Sequence, residues 1–257
     1  PSLRVPSPGA ETHIAAVAAE GGYLHTSPEF AMKRLLAAGE RKLFFLGKCW
    51  RKGEAGPLHA EEFTMLEWYR AGAPYERVQE DCIELARLAC RAANSAHLSW
   101  RGKSCDPFTA AERLSVRDAF AELSPEPMPP NSDAFSAALV QHIEPNLGQG
   151  AITLLTEYPI SEAALARPSP RDPNVAERFE MYACGVELAN GFGELTDAAE
   201  QRRRLIEAMD EKERRYGERW PIDEDFLAAL AHMPAASGVA LGFDRLVMLA
   251  SGARHIN

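Results

Sequence analysis

Apolar and polar positions along the 257-residue chain change period from one third to the next. Lys42 to Trp50 (KLFFLGKCW) and Glu62 to Tyr69 (EFTMLEWY) are β-rich runs on either side of an irregular polar loop, the pattern of an antiparallel hairpin. A helix running through Leu36 precedes them, with Pro28 at its N1 position. From 75 to 146 the period is helical: Val78, Cys82, Leu85 and Leu88 fall at helical spacing, and helical patterns return at 109–123 and 132–144. The last third predicts a strand near 151–156, β structure over 178–189 and helices near 197–215 and 223–231. It closes on a glycine-broken strand leading into a helix, SGVALGFDRLVMLASG. The proline-rich stretches 124–130 (SPEPMPP) and 168–173 (PSPRDP) read as loops. Sheet segments at both ends with helices between them predict one α+β domain over 1–257, built on an antiparallel sheet, with 75–146 as a helical insertion.

Composition narrows the function. With 46% hydrophobic residues the chain can bury one substantial core. A formal charge of -9 leaves no general basic surface, which disfavours sequence-independent binding of nucleic acid and weighs against a tRNA-gripping protein. Five scattered cysteines without a CxxC pair suggest neither a disulfide framework nor a zinc site, so a reducing, cytoplasmic setting is expected. No run of about 18 apolar residues suggests a membrane span, and Pro1 to Ala10 lacks a signal-peptide pattern.

Three segments carry candidate chemistry. The loop from Arg51 to Glu61 holds Arg51, Lys52, Glu54 and His59, a set suited to a nucleoside triphosphate because guanidinium forks bind phosphate oxygens bidentately. A solvated hairpin tip would have the same composition. The stretch ERFEMYACGVELANGFGELTD holds Glu180, Glu187, Asn190 and Glu194. Paired carboxylates suit Mg²⁺ beside polyphosphate, but regular alternation puts Glu180 and Glu187 on opposite faces, so a shared site needs a turn or bulge near Cys184-Gly185. The competing reading pairs Glu180 with Arg178. Finally, Gly238, Ala240 and Gly242 share one strand face and leave room for a flat ligand, with Asp244 and Arg245 following at a helix start. A glycine-rich strand packed beneath a helix explains the same pattern.

Taken together and in this order, the segments resemble the lysyl branch of the class II aminoacyl-tRNA synthetases. RKGEAGPLHAEEFTMLEWY is similar to motif 2, VELANGFGELTD to the lysine-pocket segment, and GVALGFDRLVML to motif 3; the likeness spans about 23–70 and 150–252. It implies a class II catalytic core that uses ATP and Mg²⁺ to make an aminoacyl-adenylate. It further implies that Arg51 contacts the α-phosphate and the substrate carboxylate, with Glu54 and His59 near the nucleotide. Phe63 and Arg245 would sandwich the adenine, while Glu180 and Glu187 would hold Mg²⁺. Glu29 would face the substrate α-amino group, Asn190 its carboxylate, and Glu67, Tyr69 and Glu194 the lysine ε-ammonium.

Within this branch TSPEF, EFTMLEWY, ELANGF and DRLVMLA look like a short paralogous group that attaches β-lysine to translation elongation factor P. The implied acceptor is then a protein and tRNA is the less favoured one, with a homodimer as the family's usual state. Ala240, standing where lysyl-tRNA synthetases carry Gly, agrees with this group. Two alternatives remain at this point. One is the catalytic domain of a lysyl-tRNA synthetase, whose anticodon-binding domain is not within these residues. The other is an inactive amino-acid-binding regulator, suggested by Gly53 where the family has Glu.

Overall fold

The computed structural model describes residues 2–256. Short strands β1 (Arg4–Val5), β2 (Ala18–Ala19) and β3 (Gly22–Leu24) form a small sheet ahead of helix α1 (Glu29–Ala37). Pro28 is the N-cap of α1, one position earlier than expected, where its missing N–H costs the helix nothing. Strands β4 (Lys42–Trp50) and β5 (Glu62–Ala71) then pair antiparallel along their whole length, from Lys42 opposite Arg70 to Trp50 opposite Glu62. Helix α2 (Tyr75–Ala92) follows and buries Val78, Cys82, Ile83, Ala86 and Cys90.

The block 75–146 is not wholly helical. Strands β6 (Leu98–Trp100) and β7 (Lys103–Asp106) form a hairpin, and β8 (Glu112–Ser115) joins the edge of the main sheet. Helix α3 (Val116–Leu123) therefore starts later than the pattern suggested, with Ser115 accepting from the Asp118 N–H as its cap. Helix α4 (Ser132–Ala138), capped by Asn131, passes into a π-helical turn at Leu139–Ile143. Strands three or four residues long show too few alternations to be told from a helical period, and 109–123 mixes both.

The remaining elements are β9 (Gly150–Ala151), β10 (Thr153–Thr156), β11 (Arg178–Ala183), β12 (Val186–Gly193), α5 (Ala198–Tyr216), α6 (Glu224–Leu230), β13 (Ala236–Gly242) and α7 (Phe243–Ser251). Among the described residues the main sheet has seven strands in the order β4-β5-β13-β12-β11-β10-β8, antiparallel except where β8 meets β10. One face packs on α2 and α7 through Cys82, Phe179, Leu188, Leu241 and Leu249. The other is covered at both ends: by α1 and α6, whose Phe30 and Phe226 rings stack 4.0 Å apart, and by α3 and α4, whose Phe120 and Phe135 pack with Leu155 and Tyr182. The uncovered part of that face is a cleft. Among the described residues no helix is long and apolar enough to cross a membrane, and all five cysteines are buried and unpaired.

Candidate active site

Cross-strand register decides which side chains meet on the open face, because residues directly opposite one another share a face. Glu67 of β5 lies opposite Ala240 of β13, Ala240 opposite Asn190 of β12, and Asn190 opposite Glu180 of β11. Four residues expected in the site thus form one row across four strands. Tyr69 stands opposite Gly238 and Met65 opposite Gly242, two residues to either side.

Glu187 joins them through two irregularities. Cys184 and Gly185, with φ of 58° and 74°, make the tight two-residue turn between β11 and β12. The register then shifts between Met181 and Tyr182, leaving Leu188 as an extra residue in β12. Without that bulge, residues 187 and 190 would point to opposite faces. With it, Glu187 and Asn190 both line the cleft. The turn or bulge demanded by the spacing is present in both forms.

The cleft has two adjoining compartments, and Arg51, Met65, Asn190 and Ala240 line both. The larger, about 330 Å³, also contains Glu54, His59, Phe63, Glu187 and Arg245. Arg245 is pinned: Nε donates to the Leu58 carbonyl (3.1 Å), one terminal nitrogen to the Glu187 carbonyl (2.8 Å) and the other to His59 Nε2 (2.9 Å). His59 must accept that bond, so it is neutral. Burial and the Arg245 charge accordingly hold its pKa below the usual value. Asp244 accepts from the Thr64 N–H at 2.6 Å and so fixes the start of α7 against β5. Phe63 and Arg245 line the same compartment, and the Arg51 guanidinium lies over the Phe63 ring, 5.1 Å from its centroid. The Arg51 Nε has no partner. Gly53 adopts a left-handed φ of 77°, and Glu54 after it reaches the cleft beside Arg51 (4.0 Å).

The two expected metal carboxylates differ in what they can offer. Glu180 accepts from Tyr158 (2.5 Å), Tyr182 (2.6 Å), Arg178 (2.6 Å) and Asn190 (3.2 Å), which occupies every lone-pair direction of the carboxylate. Its pairing with Arg178 is thus real and coexists with a place in the cleft. Glu187 is the freer group, touching only Arg245 at 3.5 Å, and burial together with the Glu180 charge raises its pKa. No cluster of three or more metal-binding side chains occurs among the described residues. A magnesium ion carried by a triphosphate fits such a site, since it needs only one or two protein carboxylates. Asn190 gives its amide hydrogens to the acceptor-only Glu180, leaving a buried Oδ1 without a partner.

The smaller compartment, about 110 Å³, is lined by Glu29, Ser27, Phe192 and Ala240. Beneath it Glu67 accepts from Ser27 (2.8 Å) and Tyr69 (2.6 Å). Burial and the neighbouring Glu29 charge push the Glu67 pKa up to about 8. Glu194 is fully buried, one oxygen 2.7 Å from Lys33 Nζ and the other without a partner, and burial raises its pKa to about 7. Gly238 makes this packing possible: a Cβ there would lie 2.3 Å from the Tyr69 ring and 2.6 Å from Glu194 Oε1.

Residues 7–257 match the family model for class II tRNA synthetases (D, K and N). The chain is 43% identical to the elongation factor P (R)-β-lysine ligase of Proteus mirabilis over 245 residues, covering 91% of this chain and 75% of that protein. The ligases of the same name from Edwardsiella ictaluri (41% over 245 residues) and Klebsiella pneumoniae (42% over 244 residues) match over the same shares.

This chain is a class II tRNA-synthetase-family protein.

The synthetase-family core accounts for the antiparallel sheet and for its ligase chemistry. Sequence reasoning missed Lys33, Ser27, Tyr158 and Tyr182. The only local signal for Lys33 was its position four residues after Glu29. Nothing in the sequence tied the two tyrosines to Glu180 except that Tyr182 shares its strand face.

Proposed function

We propose that this protein is an ATP-dependent ligase that activates a lysine-type amino acid, (R)-β-lysine by likeness to its relatives, and transfers it to a lysine side chain of elongation factor P. One observation carries the substrate class: Glu29, Glu67, Tyr69 and Glu194 converge next to the compartment that contains Arg51 and Arg245. A desolvated ammonium needs charge and three acceptors, and this end of the cleft supplies them. Arg51, common to both compartments, would hold the substrate carboxylate against the α-phosphate of ATP.

In the first step a carboxylate oxygen of the amino acid attacks the α-phosphorus. An acyl–O–P bond forms, the bond to the β-phosphate bridging oxygen breaks, and pyrophosphate leaves. Arg51 and Arg245 position the reactants and balance charge on phosphorus, as fixed donors do in a site that excludes water. Glu187, with Glu180 behind it, would hold Mg²⁺, which neutralises phosphate charge. In the second step the acceptor amine attacks the acyl carbon, an amide forms, AMP departs and the amine proton is lost. A homodimer belongs to the same proposal. Phe44 (74% exposed), Leu46 and Leu88 form an apolar surface on the back of the sheet that favours a partner subunit. Ala240, opposite both Glu67 and Asn190, adds a methyl where the ligand's backbone would lie and favours the β-amino acid. To test the proposal, purified protein is incubated with ATP, Mg²⁺, (R)-β-lysine and elongation factor P. A β-lysyl adduct on the factor is expected; efficient charging of tRNA with an unmodified factor overturns it.

A further inference from the structure

Lys33 has no place in the residue set carried over from the family, yet its side chain is fully buried in the amino-acid end of the cleft. Its ammonium lies 2.6 Å from Glu29 Oε1, four residues back on α1, and 2.7 Å from Glu194 Oε2, one residue past β12. These carboxylates are the ones assigned to the two different amino groups of the substrate. A buried ammonium is costly unless compensated. Burial works against the charge of Lys33, but Glu194 and Glu29 outweigh it and raise the pKa. Its neighbour Arg34 turns instead to Asp223, 3.3 Å away, so Lys33 is the cation that α1 directs inward.

The charges around this point can be counted. Glu29 and Lys33 come from α1, Glu67 and Tyr69 from β5, and Glu194 from the end of β12. Beyond them lie Cys49 of β4, kept as a thiol by burial, and Arg167, already paired with Glu177 at 2.5 Å, while the compartment's rim adds the Arg34–Asp223 pair and Glu11, whose exposed carboxylate is screened by solvent. Three carboxylates against one ammonium leave a formal charge of minus two. A lysine-type ligand whose own carboxylate is taken by Arg51 presents two ammonium groups to this end. The charges match only with Lys33 in place.

We infer that Lys33 is a positioning residue that sets specificity. Its ammonium ties Glu29 to Glu194 and leaves the compartment negative charge for two ligand amines and no more. This inference rests on the lysine-pocket reading above. Without Lys33 three carboxylates face only two ligand ammoniums, and the occupied site is left with negative charge that no cation balances. A residue that merely fills space would be replaced by an uncharged side chain of similar length without loss of affinity, and a second cation would offer no rescue.

The test is calorimetric titration of L-lysine and (R)-β-lysine into the native enzyme, K33M and K33R. K33M is expected to bind both amino acids roughly ten-fold or more weakly. K33R, which keeps a cation, is expected to recover part of that loss. If K33M does not fold, K33Q takes its place with the same expectation. Native-like affinity in K33M or K33Q, or K33R binding no better than K33M, overturns the inference. Failure of the native enzyme to bind either amino acid overturns the underlying pocket reading instead, so the two failures are told apart.

Discussion

Gly238→Ala is the most discriminating single perturbation of the amino-acid compartment. The backbone of β13 is held on both sides, by Tyr69 of β5 and Phe192 of β12, so the strand cannot retreat from an added methyl. That methyl would lie 2.3 Å from two ring carbons of Tyr69 and 2.6 Å from Glu194 Oε1, well inside contact distance. The ring must turn, which takes the Tyr69 hydroxyl from Glu67 and displaces the Glu194 carboxylate. Overpacking of this kind costs about 1–3 kcal/mol, or about five- to 150-fold in affinity. Lysine-dependent pyrophosphate–ATP exchange reads the effect: KM for the amino acid is expected to rise by that factor. KM for ATP should stay within about two-fold, since neither Tyr69 nor Glu194 lines the larger compartment. An unchanged KM for lysine would refute the placement of the pocket. Equal losses for both substrates would show that the substitution disturbs the whole sheet.

Other outcomes follow from the same geometry. Arg245→Ala removes the bonds to Leu58, Glu187 and His59 at once and is expected to abolish exchange while circular dichroism stays native. Glu194→Gln should chiefly raise KM for lysine and leave KM for ATP unaltered. Glu180→Ala strands Arg178 without its buried partner, which costs about 3–5 kcal/mol, so Tm should fall by roughly 6–20 °C. An unchanged melting curve would contradict that role. Protons matter too. Glu67 titrates near 8 and Glu194 near 7 in the empty cleft, so both must lose protons to receive ammonium groups. Lysine affinity is therefore expected to rise from pH 6 to 8, by about ten-fold per unit for each proton released, and to level off above 8. The raised pKa of Glu67 gives the opposite slope for stability: the ligand-free protein should lose stability as pH climbs from about 4.5 to 8. Melting curves across that range, with and without lysine, check both signs.

How much of this was legible beforehand depended on the length of each pattern. Strands β4 and β5 stood out because eight or more residues of β-rich sequence flank a polar loop, and the site side chains of β5 then follow from period two. The strands of 98–115 were invisible at three or four residues each, and β8 acquires its identity only by pairing with the distant β10. The row Glu67, Ala240, Asn190, Glu180 could be listed residue by residue from the family likeness. Its alignment is a property of register and of the Leu188 bulge, which no local spacing encodes. Lys33 shows the limit most clearly. The Glu29–Lys33 pair is readable at helical spacing, but its meaning comes from Glu194, which approaches only when the end of β12 packs beside α1.

The most direct test of the account is the identity of the acyl acceptor. Elongation factor P and bulk tRNA are offered together to the enzyme with ATP, Mg²⁺ and radiolabelled (R)-β-lysine, and the two are separated and counted. Label on a single lysine of the factor, lost in Arg245→Ala, is the predicted result. Label confined to tRNA, or none on either acceptor, would contradict it.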